Sequence, residues 1–229
     1  MSEHHYMTRA RLRRNPAVLA LKTLFEPKRA EDRVLAGHKL LWTLFADGAE
    51  RERDFLWREE DSGQYLILSK RRPDDTIGLF DLDQPKEFAP SLMSGNRLEF
   101  VLRANATIAR ARGKGVRGTR SDVVMNAIHG LASTERAEAR TTAVQAAGAQ
   151  WLMSQGARNG FRVDAEALQV VTYHVMRMPK EGHTMSIGIL DFRGVLEVTD
   201  PSSFTTTLLT GLGRAKAFGC GLMLVRRAR

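Results

Sequence analysis

Residues 83–96 interrupt the apolar and polar periodicities on either side of them. Pro85, Pro90 and Gly95 fall together there, and neither a helix interior nor a central strand tolerates that combination. The break divides the 229 residues into two expected domains, 1–94 and 95–229, each long enough to bury its own core.

In the first half Tyr6, Thr8, Ala10 and Leu12 alternate with Met7, Arg9, Arg11 and Arg13, which predicts a strand with one basic face. Over residues 30–46, Val34, Leu35, His38, Leu41, Trp42 and Phe45 share a stripe at three- and four-residue steps, with Asp32, Ala36, Lys39 and Thr43 opposite. This is a helix pattern, and Glu31 and Asp32 in its first turn suit the helix dipole. Residues 54–59 and 64–70 are β-prone around Ser62 and Gly63 and predict a hairpin. A second helix is expected loosely within residues 78–92.

The second half predicts a strand at 97–103 and a helix over 138–155 that stops near residues 156–160. Strands follow at 168–178 and 184–190 around a turn at 179–183, then at 195–198. Asp200-Pro201 has the form of an N-cap with a first-turn proline, opening a helix that ends at Gly211; residues 220–225 close the chain as a strand. Residues 104–120 hold Arg110, Arg112, Lys114, Arg117 and Arg120 among glycines and small residues, a composition expected of a mobile basic loop. Each half fits a β-α-β-β-α-β plan, so the expected class is α+β, with two tandem ferredoxin-like (RRM-like) domains.

Charge narrows the partners. Lys plus Arg number 35 against 26 Asp plus Glu, a net charge of +9, which favours polyanions: nucleic acid first, an anionic membrane surface second. Most of the charge is arginine, whose fork pairs with phosphate and stacks on bases, so nucleic acid leads. The single Cys220 forms no intramolecular disulfide and supports no cysteine-based metal site, as expected for a cytoplasmic protein. Residues 1–14 lack an apolar core, and no segment approaches the roughly 20 apolar residues of a membrane span. No membrane partner is expected.

Residues 211–222 form the least ordinary run. Gly211, Gly213, Gly219 and Gly221 permit close backbone approach, and Arg214 and Lys216 add charge. Two readings stay open: a nest of N–H groups for phosphate, or a glycine-rich connector into an edge strand. No Gly-Lys-Ser/Thr follows, and the run leads into a strand, so neither a P-loop nor a dinucleotide fingerprint is present.

This run, with its upstream context, resembles the C-terminus of the CasE family, the CRISPR-associated endoribonucleases of the Cascade complex. Phe100-Val101-Leu102-Arg103-Ala104-Asn105 resembles the strand that opens that family's second domain. Gln150-Trp151-Leu152 through Asn159-Gly160-Phe161-Arg162 resembles its helix and exit, residues 188–201 its next hairpin, and His38-Lys39-Leu40-Leu41-Trp42-Thr43-Leu44-Phe45 the first helix with its catalytic histidine. Residues 47–90 contribute little to the likeness.

The resemblance implies binding of a CRISPR repeat stem-loop, one cut in the precursor RNA at the 3′ base of that hairpin, and retention of the mature crRNA alongside other Cascade subunits. No cofactor and no metal are implied. Metal-free cleavage needs a base for the 2′-OH, an acid for the leaving 5′-oxygen and cations for developing charge, leaving a 2′,3′-cyclic phosphate and a 5′-OH. A histidine fits the acid and base roles. His38 is therefore the expected catalytic residue, although a histidine on an apolar stripe is equally compatible with a structural role. The family pattern carries a tyrosine one helical turn earlier, where this chain has Leu35.

Lys28, Arg29 and Arg33 precede or open the helix and are candidate helpers, as is Lys216 if the two halves pack together. The expected RNA contacts are Arg9 and Arg11 on the first strand, Arg103, the loop cations Arg110, Arg112, Lys114, Arg117 and Arg120, the hairpin residues Arg177 and Lys180, and the glycine run with Arg214 and Lys216. His4, His5, His129, His174 and His183 show no metal-ligand spacing, and the carboxylates are scattered. The alternative is a hairpin RNA-binding protein, or a structural ribonucleoprotein subunit of the same fold, that does not cut.

Overall fold

β1 (Tyr6–Leu12) is the strand that the opening alternation predicts, with Thr8 and Ala10 buried. The computed structural model describes residues 4–46, 48, 52–110, 118–180 and 183–228. Two units are formed: Met1–Ser91 with Lys216–Leu222, and Leu92–Ala215 with Met223–Arg229. A single division at 94/95 would assign the whole glycine run to the second half; instead the chain returns to the first unit for Lys216–Leu222.

In the first unit β1 leads through α1 (Pro16–Ala20) and α2 (Lys22–Phe25) to α3 (Ala30–Trp42), then β2 (Phe55–Asp61), β3 (Gln64–Ser69), β4 (Phe80–Leu82) and β5 (Lys86–Glu87). Asn15 caps α1, its side chain accepting from the Val18 N–H at 2.9 Å. The antiparallel sheet has the order β2-β3-β1-β4, with β5 also on β1. Leu40 and Leu41 of α3 bury against Trp57, Tyr65, Ile67 and Phe80 of the sheet. The close approach runs through Gly37, where a Cβ would lie 3.1 Å from the Tyr65 ring and 3.3 Å from the Trp57 indole.

The second helix expected within residues 78–92 is absent. β4 and β5 lie there, because that segment runs along the open edge of β1: the N–H groups of Asp83 and Phe88 donate to the carbonyls of Arg9 and His5 at 2.9 and 2.7 Å. The Asp75 carboxylate turns the chain into this edge by accepting from the N–H groups of Leu79 and Phe80 at 3.0 and 2.8 Å. Two prolines and a free strand edge outweigh the residual helical pattern.

The second unit contains β6 (Arg97–Ala104), β7 (Thr107–Arg110), β8 (Thr119–Asp122), α4 (Val123–Ala127), α5 (Ser133–Arg158), β9 (Phe161–Val163), β10 (Gln169–Lys180), β11 (His183–Val198), α6 (Pro201–Thr210) and β12 (Met223–Arg227). Its sheet has the order β10-β11-β6-β12, with β9 on β11. Taken in chain order, β6, α5, β10, β11, α6 and β12 complete the βαββαβ plan. Asp200 caps α6 as expected, accepting from Ser202 and Ser203 N–H groups at 3.0 and 3.2 Å. Trp151 stacks on Phe192 and Phe161 packs on Phe204 in the core.

Three expectations change here. Residues 184–190 and 195–198 belong to one strand, β11, because polar Asp191 is satisfied across the sheet by Arg103 and Thr172, so the intervening polar residues do not end it. The expected basic loop begins and ends as a hairpin, with Thr107 paired to Asp122 and Arg110 to Thr119. The final strand starts at Met223, since Cys220 and Leu222 are buried in the turn before it. No helix among the described residues is long and apolar enough to cross a membrane.

Gly160 has φ +75°, and a Cβ there would stand 2.4 Å from the Asp200 carbonyl oxygen and 2.8 Å from the Phe204 N. Gly95 shares the left-handed backbone (φ +85°) but has nothing within 4 Å of the same point. Gly95→Ala is expected to lose about 1 kcal/mol to backbone strain alone. Gly160→Ala adds a backbone clash, so its thermal transition should fall well below that of Gly95→Ala in parallel calorimetric scans.

Candidate active site

His38 lies on α3 in the first unit, half-buried, one residue after the glycine that brings the helix onto the sheet. The Trp42 indole Nε1–H, one turn later, donates to His38 Nε2 at 3.2 Å. Because the indole only donates, the neutral imidazole carries its proton on Nδ1, and Nδ1 is buried with no hydrogen-bond partner among the described residues. Trp42 is held in turn by a T-shaped contact with Phe55 at 5.5 Å between ring centroids. Burial, and then the positive charge of Arg53, hold the imidazole pKa below the ordinary 6.5. His38 is therefore neutral at physiological pH.

Arg53 enters this group from the chain leading into β2, and its Nη1–H donates to the Phe55 carbonyl at 3.1 Å. Lys216 arrives from the glycine run. The 3₁₀ turn Lys216–Phe218 packs on α3 and β2, and Gly219, at φ +73°, then passes the Trp57 indole with its Cβ position 3.4 Å from the ring. Burial, reinforced by Arg53, holds the Lys216 ammonium below the ordinary lysine range, and burial lowers Arg53 likewise. Arg53 thus acts on both a neutral imidazole and a half-buried ammonium. Packing between the two halves is not needed to bring Lys216 here, because it belongs to the first unit.

The other expected helpers stand elsewhere. Lys28 and Arg29 lie at the N-terminal end of α3, roughly 14 Å along the axis from His38 at 1.5 Å per residue, and both are exposed. Arg29 is 3.9 Å from Asp32. Arg33 folds back to donate to the Lys28 carbonyl at 2.9 Å. Leu35 is half-buried on the same helix and brings no hydroxyl.

Several expected RNA-contacting cations already have carboxylate partners. Arg9 bonds Glu60 at 2.8 Å and Arg11 bonds Asp83 at 2.7 Å, a bond that holds Asp83 below the usual carboxylate range. Arg103 grips Asp191 with two bonds of 2.8 and 3.0 Å. Arg120, Arg177 and Arg214 are exposed. Arg214 is anchored by its backbone, which bridges to Asn105, and Gly211, Gly213 and Gly221 have left-handed φ of 79°, 79° and 95°. Arg112, Lys114 and Arg117 lie outside the described residues; Arg110 and Lys180 are placed by their backbones in β7 and β10. Among the described residues no three His, Cys, Asp or Glu side chains are grouped as metal ligands.

Arg53 was missed by sequence reasoning, because it falls in the stretch that carries little family likeness and has no periodic signal. Its only legible feature is its position just before a predicted hairpin.

A family model for CRISPR associated protein matches residues 5–227. The chain belongs to that family. CRISPR-associated endoribonuclease Cse3 of Thermus thermophilus is 30% identical over 193 residues, covering 76% of this chain and 80% of the relative. A solved structure of Thermus thermophilus Cse3 bound to an RNA representing a pre-cleavage complex aligns at 26% identity and TM-score 0.65, over 97% of this chain and 99% of that one. Cas6e from Escherichia coli K-12 shares the fold, at 22% identity and TM-score 0.62 over 97% and 100% of the two chains. The motif resemblance to CasE and the α+β, ferredoxin-like class both hold. What the CRISPR-associated family does not supply is the local arrangement at His38, which follows from the contacts above.

The indole bond favours the neutral imidazole, so Trp42→Phe, which keeps an aromatic ring against Phe55, should raise the His38 pKa measured by NMR. The sign for stability follows. The folded ring takes up its proton at lower pH than the unfolded chain, so between those values the unfolded state binds more protons. The His38 contribution is present above pH 6.5 and is lost as pH falls through the folded value. His38→Gln should flatten that part of the stability profile in acid titrations.

Proposed function

We propose that this protein is a metal-independent endoribonuclease that binds a CRISPR repeat hairpin, cuts the precursor RNA once and keeps the mature crRNA as a subunit of a Cascade assembly. The observation that carries the reading is a neutral histidine with half-buried Arg53 acting on it and on half-buried Lys216, carried on a 3₁₀ turn packed on the same helix, in a chain related to endoribonucleases. His38 takes the proton of the 2′-OH as the O2′–P bond forms and the P–O5′ bond breaks. Lys216, an ammonium made more acidic by burial, gives a proton to the departing 5′-oxygen. The products are a 2′,3′-cyclic phosphate and a 5′-OH, and proton exchange with water resets both groups.

Trp42 occupies Nε2 in the RNA-free protein, so the imidazole has to leave the indole before it acts. One neutral hydrogen bond of this kind is worth about 0.5–1.5 kcal/mol, a modest barrier beside the binding energy of an RNA hairpin. The first half, residues 1–94, contributes the cutting histidine. The second, 95–229, contributes the β10–β11 hairpin with Arg177, the β7–β8 arm with Arg120, and exposed Arg214, which contact phosphates and 2′-hydroxyls of an A-form stem.

A second reading, a hairpin binder that does not cut, draws on two observations: Leu35 stands where the family pattern has tyrosine, and neither nitrogen of His38 is open in the free protein. Incubation of the protein in EDTA with an end-labelled repeat hairpin from its own genome separates them. Wild type is expected to give one cut, and His38→Ala to bind and lose at least about 10²-fold in rate. Hairpin bound but uncut by wild type favours the second reading; equal cutting by the mutant removes His38 from the mechanism.

Binding should weaken steeply with salt. Arg177→Ala and Arg120→Ala should each reduce the slope of log affinity against log salt by about one. Slopes equal to wild type would exclude both arginines from the interface.

A further inference from the structure

Arg53 differs from four arginines of the first unit that are tied to carboxylates. Arg9, Arg11, Arg13 and Arg71 are each bonded to a carboxylate: Glu60, Asp83, Asp81 and Asp54 respectively. Arg53 is half-buried and donates to a backbone carbonyl, that of Phe55. Among the described residues no carboxylate is within ion-pair distance of Arg53 or Lys216, and neighbouring Asp54 is taken by Arg71 at 2.7 Å. Two cations withdrawn from water beside one another raise each other's free energy. An anion seated between them removes that penalty.

The surrounding contacts hold this arrangement in place. Phe55 anchors Arg53 through its carbonyl and packs its ring on Trp42, whose indole N–H lies on His38. Lys216 is carried in by a 3₁₀ turn packed on the same helix and strand. Among the described residues, the titratable and charged groups on the elements packed against α3 include Arg53 before β2, Arg58 and Glu59 on β2, Lys216 in that turn, Tyr65 of β3 beside Gly37, and Lys22 with Glu26 at the ends of α2. Of these, Arg53 acts on the imidazole.

We propose that Arg53 is a catalytic residue of this site, its guanidinium binding a non-bridging oxygen of the scissile phosphate alongside Lys216 and stabilising the charge that gathers there during transesterification. The inference rests on the nuclease reading above and adds to it the group that holds the phosphate. Arg53 exchanges no proton: it donates N–H groups to the phosphorane oxygens while O2′–P forms and P–O5′ breaks. Its charge adds to burial in favouring the unprotonated His38 that acts as base.

The test compares wild type, Arg53→Gln, Arg53→Lys and His38→Ala by two readouts. In single-turnover cleavage of the repeat hairpin across the acid to neutral range, Arg53→Gln should lose about 10²-fold in rate, with hairpin affinity falling by less than about tenfold, as for one phosphate contact among several. Its pH midpoint should move upward, because a positive charge beside the imidazole is gone. Arg53→Lys should lose rate but keep the wild-type midpoint, since the charge stays and the fork does not; a merely structural role for Arg53 would leave both midpoints unmoved.

The second readout is the His38 ring signal in NMR titrated with inorganic phosphate. Wild type should respond and Arg53→Gln should not. If wild type cuts the hairpin while Arg53→Gln keeps its rate, midpoint and phosphate response, Arg53 has no such role and the nuclease reading stands. If wild type fails to cut but responds to phosphate through Arg53, the nuclease reading falls and the anion site stands. A wild type that cuts without any phosphate response at His38 overturns the Arg53 proposal, and a lowered melting transition shared by both Arg53 variants with unchanged midpoints does so as well.

Discussion

The Trp57 indole is the contact on which the site depends. It is almost wholly buried at 1% exposure, packs edge-on to Tyr65, and meets Gly37 of α3 and Gly219 of the returning segment within 3.3 and 3.4 Å of their Cβ positions. One rigid ring thus fixes two backbones at once. The first carries His38 at the next residue; the second carries Lys216 three residues earlier. Gly37 is needed for closeness, whereas Gly219 is needed for its φ of +73°, a conformation that side chains resist.

That constraint explains how Arg53 and Lys216 come to be half-buried with no carboxylate partner among the described residues. The basic face of β1 meets Asp81, Asp83 and Glu60 from neighbouring strands, so its charge is largely answered within the fold. Lys216 and Arg53 are held by backbone and ring contacts that take no account of charge. Each raises the free energy of the other's charge. The high net charge of the chain therefore does not separate the cations already answered within the fold from the rest.

The same division governs what was legible beforehand. β1, α3, the β2–β3 hairpin, β6, the core of α5 and the capped α6 follow from periodicity and turn chemistry that act over a few residues. The absent second helix, the joining of residues 184–190 and 195–198 into β11, and the hairpin flanking the basic segment depend on partners far away in sequence: the open edge of β1, Arg103 across from Asp191, and Asp122 paired to Thr107. Short elements with polar residues are decided by such partners rather than by their own propensities.

By itself the sequence determined the α+β class, the two-part organisation, the family, and a histidine on the buried stripe of the first helix, since each rests on local pattern or extended motif. Only the tertiary structure decided the company His38 keeps. It set Arg53, and not Lys28, Arg29 or Arg33, where its charge acts on the imidazole, seated Lys216 in the first unit, and placed one imidazole nitrogen on Trp42 and buried the other. The physical reason is that a pKa and a half-buried charge belong to an environment assembled from segments more than 150 residues apart, as Arg53 and Lys216 are, and no local pattern records that environment.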